Sequence, residues 1–230
     1  MIMLIIGHRG APSIKPENTI KSFQAALDQN VDGLEFDIQI TNDSQIVVYH
    51  DFNILLNNQK RRILDLEFKT LINAVHDYAI PTLEEVIQIC PKNKIINIEI
   101  KSKDLLNKKI ITNMMHILDK YNHYDNIIVS SFNPFVLMDL KKQAPKLKLG
   151  LLWSKRKKQS WFITHYSYYK LLPYSFHANV EFINQKMSNW VRSKGMKLFL
   201  YTVNSIEQRQ RAYQINADGI FSDYPDILSW

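Results

Sequence analysis

Two histidines, three carboxylates and two cations in the first 101 residues occupy one recurring kind of position, the end of a short apolar run. His8-Arg9 closes MIMLIIG, Glu35 and Asp37 lie within LEFDI, His50-Asp51 follows IVVY, and Glu99 and Lys101 close IINIEIK. Side chains alternate faces along a strand, so residues two apart point the same way. Glu35 and Asp37 therefore share a face, as do Glu99 and Lys101, while Leu34, Phe36, Ile38, Ile98 and Ile100 turn to the opposite side. Three carboxylates meeting in an interior need a counter-charge, because a buried charge without a partner is costly. Arg9 and Lys101 would supply part of it as a salt-bridge network. A divalent cation held by Glu35, Asp37 and Glu99 is the alternative adopted here, and an all-oxygen donor set suits Mg2+ or Ca2+ better than zinc or copper. His8 and His50 are the expected proton-transfer pair, since imidazole titrates near neutral pH. His76, His116, His123, His165 and His177 lack this placement. Of these, only His177 falls in a strand pattern, as a secondary candidate for lining the same mouth.

These residues need elements to hold them. Apolar, β-branched runs predict eight strands, at Met3–Gly7, Leu34–Ile40, Ile95–Ile100, Ile127–Ser131, Leu147–Leu152, Ser175–Val180, Lys197–Val203 and Gly219–Ser222. Helical stripes lie between them: Ile20, Phe23 and Leu27; Leu106, Ile110, Met114, Ile117 and Tyr121; and Ile183, Met187, Trp190 and Val191. Thr82-Leu83-Glu84-Glu85 after Pro81 reads as a capping box that starts a helix. Strand–helix alternation implies parallel strands with crossover helices. Eight such units in 230 residues predict an α/β protein of the (β/α)8 barrel class, with an open doubly wound sheet as runner-up that lacks its Gly-rich fingerprint. In a barrel, reactive groups come from the C-terminal strand ends, where the seven residues above sit. Asn30-Val-Asp-Gly-Leu-Glu-Phe-Asp37 is echoed by Asn216-Ala-Asp-Gly-Ile-Phe-Ser-Asp223. Gly33 and Gly219 are expected in tight turns at the bottom of the barrel, with Asp37 and Asp223 emerging at its top. Residues 51–80 break the rhythm and are read as a small insertion over the mouth of a single domain spanning 1–230.

Composition narrows the class further. A chain 46% hydrophobic and 22% charged is an ordinary globular one. The single cysteine, Cys90, rules out an internal disulfide and a cysteine-rich zinc site, and its setting in IQICP reads as core. The apolar start lacks a basic n-region and a cleavage site, and no run approaches the roughly 18–20 residues of a membrane span, so a cytoplasmic protein is expected. The net charge of +7 points to acidic partners without naming one, and no motif supports nucleic acid. Lys155-Arg156-Lys157-Lys158, with Lys141, Lys142, Lys146 and Lys148, reads as a solvated surface or a membrane-surface contact. Trp161, Phe162, Tyr166, Tyr168 and Tyr169 form an aromatic stretch open to several readings, and oligomeric state is not encoded in any pattern.

Taken in order, Gly7-His8-Arg9-Gly10, Pro16-Glu17-Asn18-Thr19, Glu35-x-Asp37, Val47-Val48-x-His50-Asp51, Pro81-Thr82-Leu83-Glu84-Glu85, Glu99-Ile100-Lys101, Ser131-Phe132, Tyr201-Thr202-Val203-Asn204 and Asp218-Gly219-Ile220 resemble the glycerophosphodiester phosphodiesterase family, its cytoplasmic bacterial type, along nearly the whole chain. The resemblance implies a (β/α)8 barrel that hydrolyses a glycerophosphodiester, such as glycerophosphocholine or glycerophosphoethanolamine, to glycerol 3-phosphate and an alcohol. It implies Glu35, Asp37 and Glu99 as ligands of Mg2+ or Ca2+, His8 and His50 as acid and base, and Arg9 and Lys101 as substrate-binding groups on the phosphate. A lysophospholipase D or phosphoinositide-type phospholipase at a membrane, and a non-catalytic phosphate-ester-binding barrel, are the rival readings. The sequence departs from the family at Asp51–Leu56, where an Arg is usual; at Asn57-Asn58-Gln59-Lys60, in place of a Gly- and Thr-rich stretch; and at Tyr201, where Trp is common. These departures bear on the alcohol rather than on the chemistry.

Overall fold

The computed structural model describes residues 3–102, 108–122, 124–155 and 161–226. Leu106 of the helical stripe, His123 and the basic residues 156–158 lie outside them.

The apolar N-terminal run forms β1 (Leu4–His8), whose last residue is the first histidine of the site. Helix α1 (Ile20–Asp28) follows, capped by Thr19, whose hydroxyl accepts from Ser22 N, and it buries Ser22, Phe23 and Ala26. Strand β2 (Gly33–Ile40) is buried throughout, as a strand covered on both faces must be. The chain then leaves the barrel. Strand β3 (Ile46–Val48) turns back antiparallel on β2, pairing Ile38 with Val48. Strands β4 (Asn53–Leu56) and β5 (Gln59–Arg62) form a hairpin whose two-residue turn is Asn57-Asn58. Both asparagines adopt positive φ, 49° and 60°, as a type I′ turn requires. A single 3-10 turn and α2 (Phe68–Ala74) complete this excursion over a small core of its own, which includes Val47, Ile54, Ile63 and Leu71.

Helix α3 (Leu83–Ile89) begins at the capping box: the Thr82 hydroxyl accepts from Glu85 N at 3.2 Å, and Glu85 Oε2 accepts from Thr82 N at 2.8 Å. Cys90 ends this helix, buried. The remaining units alternate without interruption: β6 (Ile95–Ile100), α4 (Lys108–Tyr121), β7 (Ile127–Ser131), α5 (Pro134–Gln143), β8 (Lys148–Trp153), α6 (Trp161–Leu171), β9 (Ser175–Asn179), α7 (Gln185–Ser193), β10 (Lys197–Tyr201), α8 (Ile206–Gln214) and β11 (Gly219–Ser222). All neighbouring barrel strands run parallel, and β1 pairs with both β2 and β11, so the eight-stranded sheet closes. All eight predicted strands are barrel strands, and the (β/α)8 expectation holds.

The two Asp-Gly segments are structural equivalents. Asp32 Oδ2 accepts from Ile5 N at 2.8 Å, and Asp218 Oδ2 accepts from Leu198 N at 2.9 Å, each tying a turn to the neighbouring strand. The glycines do not take the left-handed turn expected of them. Asn30 and Asn216 take it, with φ of 55° and 57°. Gly33 is required by close approach instead, since a Cβ there would lie 2.4 Å from Ile95 O.

The lysines grouped together by sequence separate in space. Lys148 opens β8, and Lys141 and Lys142 end α5, so they lie at the bottom of the barrel, whereas Lys155 follows β8 at the top.

Candidate active site and metal centre

Strand register assembles the site. The Cα partners His8↔Glu35 and Asp37↔Glu99 bring β1, β2 and β6 side by side with their reactive residues at one height. Inward-facing carboxylate oxygens of Glu35, Asp37 and Glu99 all lie within 4.8 Å of one another. All seven residues singled out in the sequence reach this region. Six come from parallel strands or directly follow them: His8, Arg9, Glu99 and Lys101 at strand ends, Glu35 and Asp37 within β2. His50 arrives differently: antiparallel β3 carries it back over the mouth, where Tyr49 N donates to Asp37 O at 3.0 Å.

Two cations brace the acids. Lys101 Nζ sits 3.1 Å from Glu99 Oε1 and 3.4 Å from Asp37 Oδ1, and is buried. Burial alone would lower its pKa, but Glu99 and Asp37 outweigh this and raise it. Arg9 Nε lies 3.2 Å from Asp37 Oδ2, its guanidinium forks onto Glu17 at 3.0 Å, and its backbone N–H donates to Glu35 Oε2 at 2.9 Å. That backbone contact depends on a left-handed pair, Arg9 at φ 55° and Gly10 at φ 88°. A Cβ on Gly10 would fall 2.5 Å from Ser22 Oγ, so the second of these positions admits only glycine.

The carboxylates respond in opposite directions. Burial chiefly, together with the charge of Asp37, pushes Glu35 up to about 8. Asp37 is also opposed by burial, yet Lys101, Arg9, His50 and the Asn18 amide together pull it down to about 2. The protein's own cations thus satisfy Asp37 and leave Glu35 under-compensated. A shortfall of positive charge beside three converging oxygen donors fits a divalent cation, and the donor set is that of a hard ion.

The histidines are each aimed by an aspartate. His8 Nδ1 is 2.6 Å from Asp223 Oδ1, and His8 Nε2 is 4.0 Å from Glu35 Oε2. Burial disfavours its charged form, but the Asp223 hydrogen bond and the Glu35 charge prevail, so its pKa rises. His50 Nδ1 is 2.8 Å from Asp51 Oδ1. Its pKa falls, through burial first and then through Lys101 and Arg9. His177 lines the same cavity but lies wholly buried with Nε2 2.8 Å from Ser175 Oγ, and burial drives its pKa down to about 3. It stays neutral at physiological pH.

Sequence reasoning assigned no role in the site to three polar partners, Asn18, Asn204 and Asp223. Asn18 is buried, donates to Asp37 Oδ2 at 3.0 Å and accepts from Asp37 N at 3.3 Å. Asn204 donates to Asp223 Oδ2 at 2.6 Å and accepts from Asp223 N at 2.9 Å, holding the carboxylate that aims His8. Asp223 was visible only as the top of the Asp-Gly echo. Across the cavity the wall changes character to Phe132, Leu152, Tyr201 and Phe221. The Phe132 and Tyr201 rings meet edge to face at 6.0 Å, and Tyr201 Oη donates to Trp153 O at 2.7 Å.

A profile of the Glycerophosphoryl diester phosphodiesterase family matches residues 8–227, nearly the whole chain. The chain belongs to that family. A glycerophosphodiester phosphodiesterase of Caldanaerobacter subterraneus subsp. tengcongensis is 35% identical to it over 240 residues, covering 99% of this chain and 97% of that one. The crystal structure of a Thermotoga maritima glycerophosphodiester phosphodiesterase superposes with a TM-score of 0.80 at 28% identity, covering 99% and 97% of the two chains. An Oleispira antarctica phosphodiesterase, solved with its product sn-glycerol-3-phosphate, shares the fold at a TM-score of 0.85 and 24% identity over 98% of this chain and 94% of that one. The chain is thus a phosphodiesterase of the (β/α)8 barrel fold.

Proposed function

We propose that the protein hydrolyses glycerophosphodiesters, such as glycerophosphocholine or glycerophosphoethanolamine, to glycerol 3-phosphate and an alcohol, in a reaction dependent on Mg2+ or Ca2+. The observation that carries this reading is the convergence of Glu35, Asp37 and Glu99 within 4.8 Å, beside two aspartate-oriented histidines and two cations. The names of the relatives support the substrate class.

Glu35, Asp37 and Glu99 would hold the ion, which when bound supplies Lewis acidity to a phosphoryl oxygen. Arg9 and Lys101 add fixed positive charge where negative charge grows in the transition state, and their ion pairs with Asp37 and Glu99 hold them in place beforehand. One imidazole takes the proton of the nucleophile as the new P–O bond forms. The other gives a proton to the departing alcohol oxygen as the old P–O bond breaks. The nucleophile is a water, giving glycerol 3-phosphate directly, or the substrate's own 2-hydroxyl, giving a cyclic phosphate that a water then opens to glycerol 3-phosphate with the two imidazoles in exchanged roles. Asp223 and Asp51 fix the ring orientations that both transfers need.

The test is glycerol 3-phosphate release from a panel of glycerophosphodiesters and lysophospholipids with Mg2+, Ca2+ or EDTA. His8→Ala and His50→Ala are each expected to lower kcat by roughly two or more orders of magnitude, the scale of a general acid or base. Turnover indifferent to EDTA and to both substitutions would overturn the reading.

A further inference from the structure

The closed end of the barrel, opposite the catalytic mouth, carries a feature that folding does not explain. Left-handed residues just beyond helices are Asn30 after α1, Asn122 after α4, Gly195 after α7 and Asn216 after α8, the residue types that tolerate this conformation. After α6 the position is held by Leu172, at φ 44° and 63% exposed. A leucine there suffers backbone strain and presents its side chain to water. Tyr169, 63% exposed, and Tyr174, 39% exposed, flank it.

Cations surround these side chains. Lys141 and Lys142 end α5, and Lys141 Nζ donates to Leu171 O at 2.5 Å. Lys148 Nζ lies 5.5 Å from the Tyr174 ring centroid, and Lys194 Nζ lies 5.5 Å from that of Tyr169. Lys146, Lys170, Arg192 and Lys197 complete the rim, all of them exposed. Carboxylates facing this sector among the described residues are Asp139, 3.7 Å from Lys142; Asp218, 2.9 Å from Lys197; Asp125, whose backbone carbonyl accepts from Lys148; and Asp119, which accepts from the Tyr124 hydroxyl. Eight cations against four carboxylates leave an excess of positive charge at this end. Cations in last helical turns complement the helix dipole, so Lys141, Lys142, Lys170 and Arg192 have a folding rationale. Leu172 has none.

We infer that this closed end docks on an anionic membrane surface. The ring of cations attracts acidic head groups, tyrosines sit at the depth of the head groups, and Leu172 enters the acyl boundary. Docking by this end turns the mouth away from the bilayer, toward substrates dissolved in water. The inference does not depend on the identity of the substrate.

The experiment is co-sedimentation of the full chain with phosphatidylcholine vesicles, with and without phosphatidylglycerol, at low and high salt. Binding is expected only to the anionic vesicles, with loss at high salt. Leu172→Asn should weaken it by about tenfold, the scale of withdrawing one leucine from an apolar phase. Because asparagine suits the left-handed position, the same variant should melt no lower than the parent and turn over a soluble glycerophosphodiester at an unchanged rate. Lys142→Glu with Lys146→Glu should abolish binding. Equal binding to neutral and anionic vesicles, or unaltered binding by Leu172→Asn, would overturn the inference. So would a self-association that Leu172→Asn dissolves in the absence of vesicle binding, which would put a second copy on this face.

Discussion

Glu35→Gln separates the fold's need for a cation from the reaction's. Burial, helped by Asp37, lifts the Glu35 carboxyl from 4.5 to about 8 in the metal-free protein. At about 1.36 kcal/mol per unit, ionising it there costs roughly 5 kcal/mol. A carboxyl with a folded pKa above its unfolded one binds more protons in the folded state. The metal-free fold must therefore lose stability as pH rises from about 4.5 to about 8. Glutamine keeps the acceptor for Arg9 N–H and removes the charge. In urea melts with EDTA, Glu35→Gln should match the parent near pH 4, lead it by about 2 kcal/mol near pH 6 and by a few kcal/mol near pH 9. Adding Mg2+ or Ca2+ should narrow the gap at high pH, because the parent gains about 2.7 kcal/mol at a hundredfold excess over Kd and the variant, lacking a ligand, gains far less. Unfolding midpoints that stay parallel across this pH range in EDTA, with no effect of the ion on the parent, would refute the electrostatic account of the cluster.

Other expectations follow from single contacts. Asp223→Asn removes the carboxylate 2.6 Å from His8 Nδ1, and kcat should drop by about two orders of magnitude or more, as when a buried orienting aspartate is lost. Since Asp223 raises the His8 pKa, the limb of the pH–rate profile that belongs to His8 should move to lower pH in the same variant. Gly33→Ala forces a methyl to within 2.4 Å of Ile95 O and should cost about 1–3 kcal/mol in urea unfolding while leaving metal affinity intact. Cys90, buried with its thiol pushed up to about 12, should resist alkylation until the protein is denatured.

How far the sequence reaches depends on the range of the interaction. Period-two alternation in LEFDI and IINIEIK is local, so the shared faces of Glu35 with Asp37 and of Glu99 with Lys101 were legible directly. Closing eight strands then fixes which ends become neighbours, and the Asp37↔Glu99 pairing follows from that closure. Contacts that hinge on one side chain's reach were not legible. His8 meets Asp223 across almost the full chain length, and Asn18 grips Asp37 from a loop. The turn at the bottom of the barrel was assigned to Gly33 because glycine is the usual left-handed residue. The chain uses Asn30 there and spends its glycine on clearance for Ile95. The lysines around β8 read as one patch because sequence distance conceals that a strand separates its two ends.

Crystals grown with Mn2+ and glycerol 3-phosphate, measured at the manganese absorption edge, address the central claim most directly. The account predicts one anomalous peak in the barrel mouth, within about 2.0–2.6 Å of oxygens from Glu35, Asp37 and Glu99, and a phosphate lying against Arg9 and Lys101. An ion bound elsewhere, or a phosphate distant from both cations, would contradict it.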